Sequence, residues 1–267
     1  MSGQVLIERA GGVATVTLSH AGKFNAMSRA MWRRLREVFL SLQADAYDGD
    51  AAQGGAMRCI ILRGEGGHFC AGGDISEYAG FRFAEPSLRD FHENDVWGGL
   101  QAVFDCDLPV IAQIEGNCMG AGMEIASCCD IRIAGDSARF GAPIARLGFP
   151  MAPREAAVVV RAAGELTARE MLLEAAVLSA PVMLQRGFLN RLAGDRAVAA
   201  ECETTAQRIA LLAPAAARMN KQALRALQPS LPLPMVDAAT YAYADTAEHR
   251  EGIAAFIDKR KPRFSVP

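Results

Sequence analysis

Two short apolar runs, each followed by a glycine-rich turn, constrain the fold of this chain more than any other feature. The first run is Cys59-Ile60-Ile61-Leu62, with Gly72-Gly73 downstream, and the second covers residues 109–114, with Gly120-Ala121-Gly122 downstream. A wholly apolar run such as the first is typical of a strand that is buried on both faces of its sheet, and the second is likewise predicted to be a buried strand. Because helical stretches alternate with such runs, the pattern predicts an α/β domain.

The periodicity of apolar residues predicts the secondary structure around these two runs. Residues 5–9 and 13–19 are β-branched runs separated by Ala-Gly-Gly, which predicts a hairpin. Apolar residues take helical spacing after Ser28, a plausible helix cap. Residues 45–57 are rich in Ala, Gly and Asp and are predicted to form a loop, whereas residues 87–104 are predicted to form a helix.

Beyond Pro153 the chain is predicted to be almost entirely helical. Thr167 followed by Glu170 is a capping-box pattern, and Pro214 precedes a further helix. Residues 236–260 are predicted to form the last helix. An α/β core over roughly the first two-thirds of the chain, followed by a helical last third, is therefore expected.

Composition excludes several classes of function. The chain has 267 residues, 51% of them hydrophobic, which is enough for one sizeable core. A net charge of −2 gives no electrostatic attraction to nucleic acid or to a membrane surface. No stretch approaches the length of a transmembrane span, and Met1-Ser2-Gly3-Gln4 does not begin a signal peptide. We therefore expect a soluble, cytoplasmic protein with no nucleic-acid or membrane partner.

The cysteines indicate buried thiols rather than a metal site. Their number is odd and no Cys-x-x-Cys pair occurs, whereas a zinc site or a disulfide framework needs paired spacing. We expect no bound metal, and reduced thiols of the kind found in cytosolic proteins. The seven cysteines are Cys59, Cys70, Cys106, Cys118, Cys128, Cys129 and Cys202.

The two glycine-rich turns could bind an anionic oxygen. Glycine lets a ligand approach the main chain closely, and a helix that begins after such a turn offers unpaired N–H groups. Two turns that face each other could aim two donors at one developing oxyanion. Taken singly, Gly72-Gly73 could be an ordinary tight turn, and Gly120 and Gly122 could simply allow close packing. No Gly-Lys-Ser/Thr ends either turn, so neither turn is a phosphate-binding loop. A dinucleotide-binding Rossmann motif is also disfavoured, because its third small residue is missing after Gly120-Ala121-Gly122.

Five motifs in order resemble the enoyl-CoA hydratase/isomerase (crotonase) family along nearly the whole chain. The similar segments are Asn25-Ala26-Met27, Phe69-Cys70-Ala71-Gly72-Gly73-Asp74-Ile75, residues 109–134 with Gly120-Ala121-Gly122-Met123-Glu124 and Cys129-Asp130-Ile131-Arg132, Ala138-Arg139-Phe140-Gly141 with Pro143 and Leu147-Gly148, and residues 251–261. The resemblance implies a crotonase-like α/β core over residues 1–195, which contains the acyl-CoA site. It also implies a helical oligomerisation region over residues 196–267.

The resemblance also implies roles for individual residues. The N–H groups of Gly73 and Ala121 would hold the thioester oxygen, although Ala121 stands where the family often has glycine. Coenzyme A would enter as part of the substrate, so no other cofactor is needed, and trimers or hexamers are expected. The residues expected to bind the substrate are Ala26, Ala71, Asp74, Ile75, Ser76, Gly120, Ile144, Phe256 and Lys259. The basic stretch 259–263, which includes Lys259, suits a phosphate-bearing ligand and equally a solvated helix end.

The carboxylates decide which reaction the resemblance implies. Glu124 matches one of the two glutamates that the family's hydratases use, and its apolar neighbours suggest a buried, poised group. The second position is Ile144, which cannot transfer a proton. Glu77, Glu155 and His68 are candidates to replace the missing group, with nothing in the sequence to choose among them. Arg146 could pair with Glu124 or with a substrate carboxylate, but a structural ion pair is the simpler expectation.

Three functions remain open from the sequence. The first is a hydratase-like lyase that uses Glu124. The second is another crotonase reaction, namely isomerisation, decarboxylation or thioester hydrolysis. The third is a non-catalytic acyl-CoA-binding homologue, which the intact turns and Glu124 disfavour. Ile144 also suggests an apolar wall suited to a larger or aromatic acyl chain.

Overall fold

The computed structural model describes residues 2–48, 57–227 and 240–264. Within these ranges the strands are β1 (Gln4–Ala10), β2 (Val13–Ser19), β3 (Cys59–Gly64), β4 (Val110–Ile114), β5 (Asn117–Met119), β6 (Ile131–Gly135), β7 (Arg139–Gly141), β8 (Val177–Ser179) and β9 (Arg191–Ala193). The α-helices are α1 (Arg29–Asp48), α2 (Glu85–Asp90), α3 (Trp97–Asp105), α4 (Ala121–Cys128), α5 (Pro153–Ala163), α6 (Glu165–Leu173), α7 (Ala180–Gln185), α8 (Val198–Ala210), α9 (Pro214–Leu227) and α10 (Ala247–Ile257). Short 3-10 helices cover Ile75–Gly80, Ile144–Leu147 and Ala242–Asp245, and a π-helix covers Phe91–Val96.

A six-stranded sheet in the order β1-β2-β3-β4-β6-β9 forms the centre of the fold. Its first two strands are an antiparallel hairpin, and the remaining neighbours are parallel. A smaller sheet joins β5, β7 and β8. The α/β class, the N-terminal hairpin and the apolar strands β3 and β4 are therefore confirmed.

Helices cover both faces of the central sheet, which explains why residues 59–62 of β3 and most of β4 are apolar. On one face α1, α3 and α4 belong to the main core. On the other face α8 packs Val198, Cys202 and Ala206 against side chains of β3, β4 and β6. Every residue of β4 is buried, including its one polar residue, Gln113, whose side-chain amide donates to the Glu115 carboxylate at 3.2 Å.

The first helix begins as predicted and ends later than predicted. Ser28 caps α1, because its hydroxyl oxygen accepts a hydrogen bond from the Met31 N–H at 3.2 Å. The predicted loop over residues 45–57 is wrong for its first part, since α1 continues to Asp48. The buried Ala46 explains this extension, because it carries the apolar face of the helix one turn further. Residues 49–56 of that loop lie outside the described residues.

Helix boundaries in the last third also differ from the prediction. The capping box at Thr167 is wrong: Gly164, with φ 83° and ψ 151°, separates α5 from α6, so Thr167 lies inside α6 and is buried. The single helix over 236–260 is also wrong for its described part. Thr246 interrupts it, since its backbone is extended and its hydroxyl accepts the His249 N–H at 3.3 Å to cap α10. Residues 236–239 lie outside the described residues.

Other predictions of helices and cysteines hold. Residues 85–105 are helical throughout, as α2, the π-helix and α3 in succession, and α9 begins at Pro214. Two short strands, β8 and β9, interrupt the helices after Pro153. All seven cysteines are buried and free of disulfides. Among the described residues, no helix is long and apolar enough to cross a membrane.

Gly252 fixes α10 against the end of the candidate site. A methyl group added there would overlap the backbone of Leu147 and Gly148. We expect Gly252→Ala to lower the free energy of unfolding by about 1–3 kcal/mol through overpacking, although alanine itself favours a helix. Urea titration measures this loss. Gly194→Ala is the control because a methyl group there meets nothing within 4 Å, and equal stability of the two variants would contradict the expectation.

Candidate active site

The two glycine-rich turns lie side by side. The Cys70 N–H donates to the Asn117 carbonyl at 2.9 Å, and the Met119 N–H donates to the Cys70 carbonyl at 2.8 Å. Both turns need glycine, because Gly72 has φ 116° and Gly120 has φ 48°. The juxtaposition that the sequence only suggested is therefore present.

Gly73 and Ala121 each offer a free backbone N–H. Met27 holds the first turn, since its N–H donates to the Gly72 carbonyl and its carbonyl accepts from the Asp74 N–H, both at 2.8 Å. The alternation of an extended chain then directs the Gly73 N–H away from Met27. Ala121 is the first residue of α4, where no acceptor exists within the helix. Neither N–H has an acceptor among the residues that the structure describes.

A largely apolar cavity of about 570 Å³ lies over these turns. It brings together eleven of the twelve residues that the sequence singled out: Ala26, Ala71, Gly73, Asp74, Ile75, Ser76, Gly120, Ala121, Glu124, Ile144 and Phe256. Lys259 does not line the cavity and lies just beyond the end of α10. Its contact with substrate stays a prediction.

A polar cluster lies in one part of the cavity wall. The Lys23 ammonium group donates to the Asp74 carboxylate at 2.7 Å and to the Ser76 hydroxyl at 2.8 Å. Burial raises the pKa of Asp74, but the hydrogen bonds from Lys23 and Ser76 outweigh it and hold that pKa below its ordinary value. Asp74 is therefore ionised and already paired, which suits a positioning role better than proton transfer.

Glu124 lies on the first turn of α4 with its side chain buried in the cavity wall. Its carboxyl group has no hydrogen-bond partner among the described residues. Burial raises its pKa well above the ordinary value, the neighbouring Glu155 raises it further, and Arg82 opposes the shift. Such a group can hold a proton near neutral pH and give it up to a substrate.

Glu155 supplies a second buried carboxyl group in the same cavity. It lies on the first turn of α5, and its Oε1 is 2.6 Å from Nδ1 of His92. Burial raises the pKa of Glu155 to about 8, against the effect of Arg82, and burial lowers the pKa of His92 well below its ordinary value. We therefore describe the pair near neutral pH as a hydrogen bond between two uncharged groups.

The structure distinguishes the three candidates for the missing carboxylate. Glu77 is exposed and accepts the Arg29 N–H at 3.0 Å at the start of α1. His68 accepts the Asn117 N–H at 3.2 Å and does not line the cavity. Of the three, Glu155 alone lines the cavity beside Glu124.

Arg146 lies at the cavity without an acidic partner. Its guanidinium group donates to the Ala175 carbonyl at 3.1 Å, and it forms no ion pair with any residue that the structure describes. The expected structural ion pair is therefore not observed among the described residues, where the acceptor is a backbone carbonyl. A pairing of Arg146 with Glu124 is likewise not observed.

Sequence reasoning missed several cavity residues, among them the polar residues Lys23, Tyr78, Arg82 and His92. The spacing of Tyr78 and Arg82 in the sequence is only a weak indication that both side chains face the same cavity. His92 lies in a polar stretch that predicts a solvated helix, and only its partner 63 positions away shows that it is buried.

The parallel sheet, the paired turns and the cavity above α4 are those of the crotonase fold, a class of α/β enzymes. A crystal structure described as an enoyl-CoA hydratase/carnithine racemase from Magnetospirillum magneticum superposes with a TM-score of 0.79 and 37% identity, covering 98% of this chain and 95% of its own. The chain belongs to the enoyl-CoA hydratase/isomerase family, whose model, described as Enoyl-CoA hydratase/isomerase, matches residues 8–266.

Curated relatives agree with this assignment. A protein named probable enoyl-CoA hydratase from Mycobacterium bovis is 31% identical over 264 residues, which are 98% of this chain and 97% of the relative. A protein named 2,3-dehydroadipyl-CoA hydratase from Escherichia coli is 29% identical over 266 residues, with 98% of each chain covered. A CoA thioester as the substrate follows from membership of this family.

The raised pKa of Glu155 predicts a pH-dependent stability. The carboxyl group ionises near pH 4.5 in the unfolded chain and near pH 8 in the folded protein. Between these values only the folded state holds the proton, so the contribution of Glu155 to the free energy of unfolding falls as pH rises from 4.5 to 8. Glu155→Gln cannot ionise and should gain about 2–5 kcal/mol relative to wild type across this window.

Urea titrations at several pH values measure this difference. Glu174→Gln, an exposed position, is the control and should follow wild type at every pH. Stability curves of wild type and Glu155→Gln that run parallel from pH 4.5 to 8 would contradict the assignment.

Proposed function

We propose that this protein is a hydratase-like lyase that adds water to a 2-enoyl-CoA thioester through an enolate intermediate. The observation that carries the proposal is the presence of Glu155 beside Glu124 in one cavity, since it supplies the carboxyl group that Ile144 does not. Relatives that are named hydratases support the same reaction.

The thioester oxygen would accept hydrogen bonds from the free N–H groups of Gly73 and Ala121. Water addition to the β-carbon moves an electron pair through the double bond onto that oxygen. Two backbone donors would stabilise the charge as it develops there. Removing one such donor typically costs about a hundred- to a thousand-fold in kcat, so this contribution is large.

The two carboxyl groups would divide the proton transfers between them. Glu155 would ionise first as pH rises, because His92 can donate to its carboxylate, whereas Glu124 has no hydrogen-bond partner among the described residues. Ionised Glu155 would accept the proton of the attacking water, while protonated Glu124 would donate a proton to the α-carbon. His92 would hold the Glu155 carboxylate by donating from Nδ1, which is 2.6 Å away.

The remaining predictions are proposals of the same kind. Ala26, Asp74 and Ser76 would lie along the CoA arm, with Phe256 and Lys259 near its end. No cofactor beyond the CoA of the substrate would be needed. A cytoplasmic trimer or hexamer would bury the exposed apolar side chains of α9, which include Met219, Leu224 and Leu227. Light scattering coupled to size-exclusion chromatography measures the assembly.

Mass spectrometry of a panel of 2-enoyl-CoA esters tests the reaction. We expect at least one ester to gain one molecule of water and lose its enoyl absorbance at the same rate. Binding of enoyl-CoA esters without gain of water, or release of CO₂ or free CoA instead, would overturn the proposal.

A further inference from the structure

Arg82 is a fully buried cation in the wall of the cavity. Arg82 is 1% exposed and comes shortly after the 3-10 helix Ile75–Gly80 in the chain. Aromatic rings surround its guanidinium group, whose carbon lies 4.1 Å from the centre of the Phe149 ring, 4.4 Å from Tyr78 and 5.7 Å from Phe91. Aromatic faces attract a cation, but they do not neutralise its charge.

The guanidinium group lacks an anionic partner. Among the described residues its hydrogen-bond acceptor is the Tyr243 hydroxyl, at 3.4 Å, and Nε has none. No carboxylate of those residues lies within salt-bridge distance of it. By contrast, the partly buried Arg225 donates to Asp107 at 2.7 Å. A buried charge without a pair is costly, and an arginine has five N–H donors to satisfy.

The two carboxyl groups in the cavity do not supply the missing charge near neutral pH. Glu124 and Glu155 influence Arg82 electrostatically, but neither forms an ion pair with it. Burial raises the pKa of Glu155 to about 8 and the pKa of Glu124 well above its ordinary value, so near neutral pH both groups are largely protonated. The inner part of the cavity is therefore cationic before a ligand binds.

The cavity has an exposed mouth and a buried inner end. Lys23, Phe24 and Phe256 line it and are 41–55% exposed, whereas Arg82, His92 and Glu155 line it and are almost fully buried. An acyl thioester whose CoA stays at the mouth must direct the free end of its acyl chain inward. The last atoms of that chain would then come to Arg82.

We propose that Arg82 is a specificity-determining residue that binds a carboxylate at the free end of the acyl chain. The substrate class would be CoA monothioesters of dicarboxylic acids, with a bidentate pair between the terminal carboxylate and the guanidinium group. The apolar wall between the turns and Arg82 suits the intervening methylene groups. That the substrate carries a 2,3-double bond rests on the proposed hydration. The preference for a terminal carboxylate does not depend on that reaction.

Equilibrium binding of saturated thioesters tests this preference without any reaction. Calorimetry compares succinyl-, glutaryl- and adipyl-CoA with butanoyl-, pentanoyl- and hexanoyl-CoA, so that each pair has equal carbon number. We expect wild type to bind one dicarboxylic ester at least tenfold more tightly than its matched partner. Arg82→Met should abolish the preference, and Arg82→Lys should keep part of it.

Arg161→Met is the matched control, because Arg161 stacks on Phe104 at 4.1 Å and does not line this cavity. It should bind both ester classes as wild type does. Equal binding of the two classes by wild type overturns the proposal even if Arg82→Met fails to fold, and so does a preference that survives in Arg82→Met. A preference without hydration of any enoyl-CoA would refute only the proposed reaction, and hydration without a preference would refute only the role of Arg82.

Discussion

Glu124→Gln is expected to lower kcat for hydration of a 2-enoyl-CoA by about a hundred- to ten-thousand-fold. The amide has the size of the carboxyl group and cannot donate the proton that the α-carbon needs. Loss of enoyl absorbance under saturating substrate measures kcat. Because the change preserves volume in a buried site, the fold should persist.

Binding separates loss of chemistry from loss of the site. The variant Glu124→Gln should bind a saturated acyl-CoA within a few-fold of wild type, since the thioester oxygen would still meet the N–H groups of Gly73 and Ala121. Glu174→Gln on the surface should keep full activity. A drop in kcat of less than tenfold would remove Glu124 from proton transfer.

Glu155→Gln is expected to lower kcat by a factor similar to that of Glu124→Gln. It should also remove the rising limb from the plot of kcat/KM against pH. In wild type, kcat/KM should rise as pH increases towards and through about 8, because Glu155 must lose its proton to act as the base. The amide cannot titrate, so the variant should retain a residual activity that does not rise over this range.

The pH profile also separates catalysis from a structural role of Glu155. A variant that only perturbs packing would lower activity and keep the rising limb. A rising limb in Glu155→Gln, or activity near that of wild type, would exclude Glu155 as the base. His92→Asn offers a milder comparison, since it should shift the limb without abolishing it.

The sequence was sufficient for the parts of the site that local pattern determines. Apolar runs identified β3 and β4, and the turns around Gly73 and Ala121 were found from glycine spacing and motif order. These features depend on backbone conformation, which neighbouring residues decide. The family resemblance also predicted Glu124 as a site residue, because its position in the helix after the second turn is part of the motif.

The other half of the site depends on contacts between distant segments. Arg82, His92 and Glu155 come from three separate stretches, and nothing local to any of them indicates that they meet. Glu155 follows Pro153 in a first helical turn, a pattern that normally marks a solvent-exposed helix start. The late end of α1 has the same origin, since the burial of Ala46 extends that helix. The break between α5 and α6 is a local feature, because Gly164 ends α5 with a φ of 83°.

The π-helix Phe91–Val96 has a consequence for how this site can change during evolution. A π-helical turn holds one more residue than an α-helical turn, so a single inserted codon can create it and a single deletion can erase it. Deletion of one residue there would rotate the preceding side chains by about 100° relative to those that follow. His92 would then leave Glu155, while α3 and the rest of the scaffold kept their register. One genetic step could thus add or remove the hydrogen-bond partner of Glu155 without rebuilding the fold.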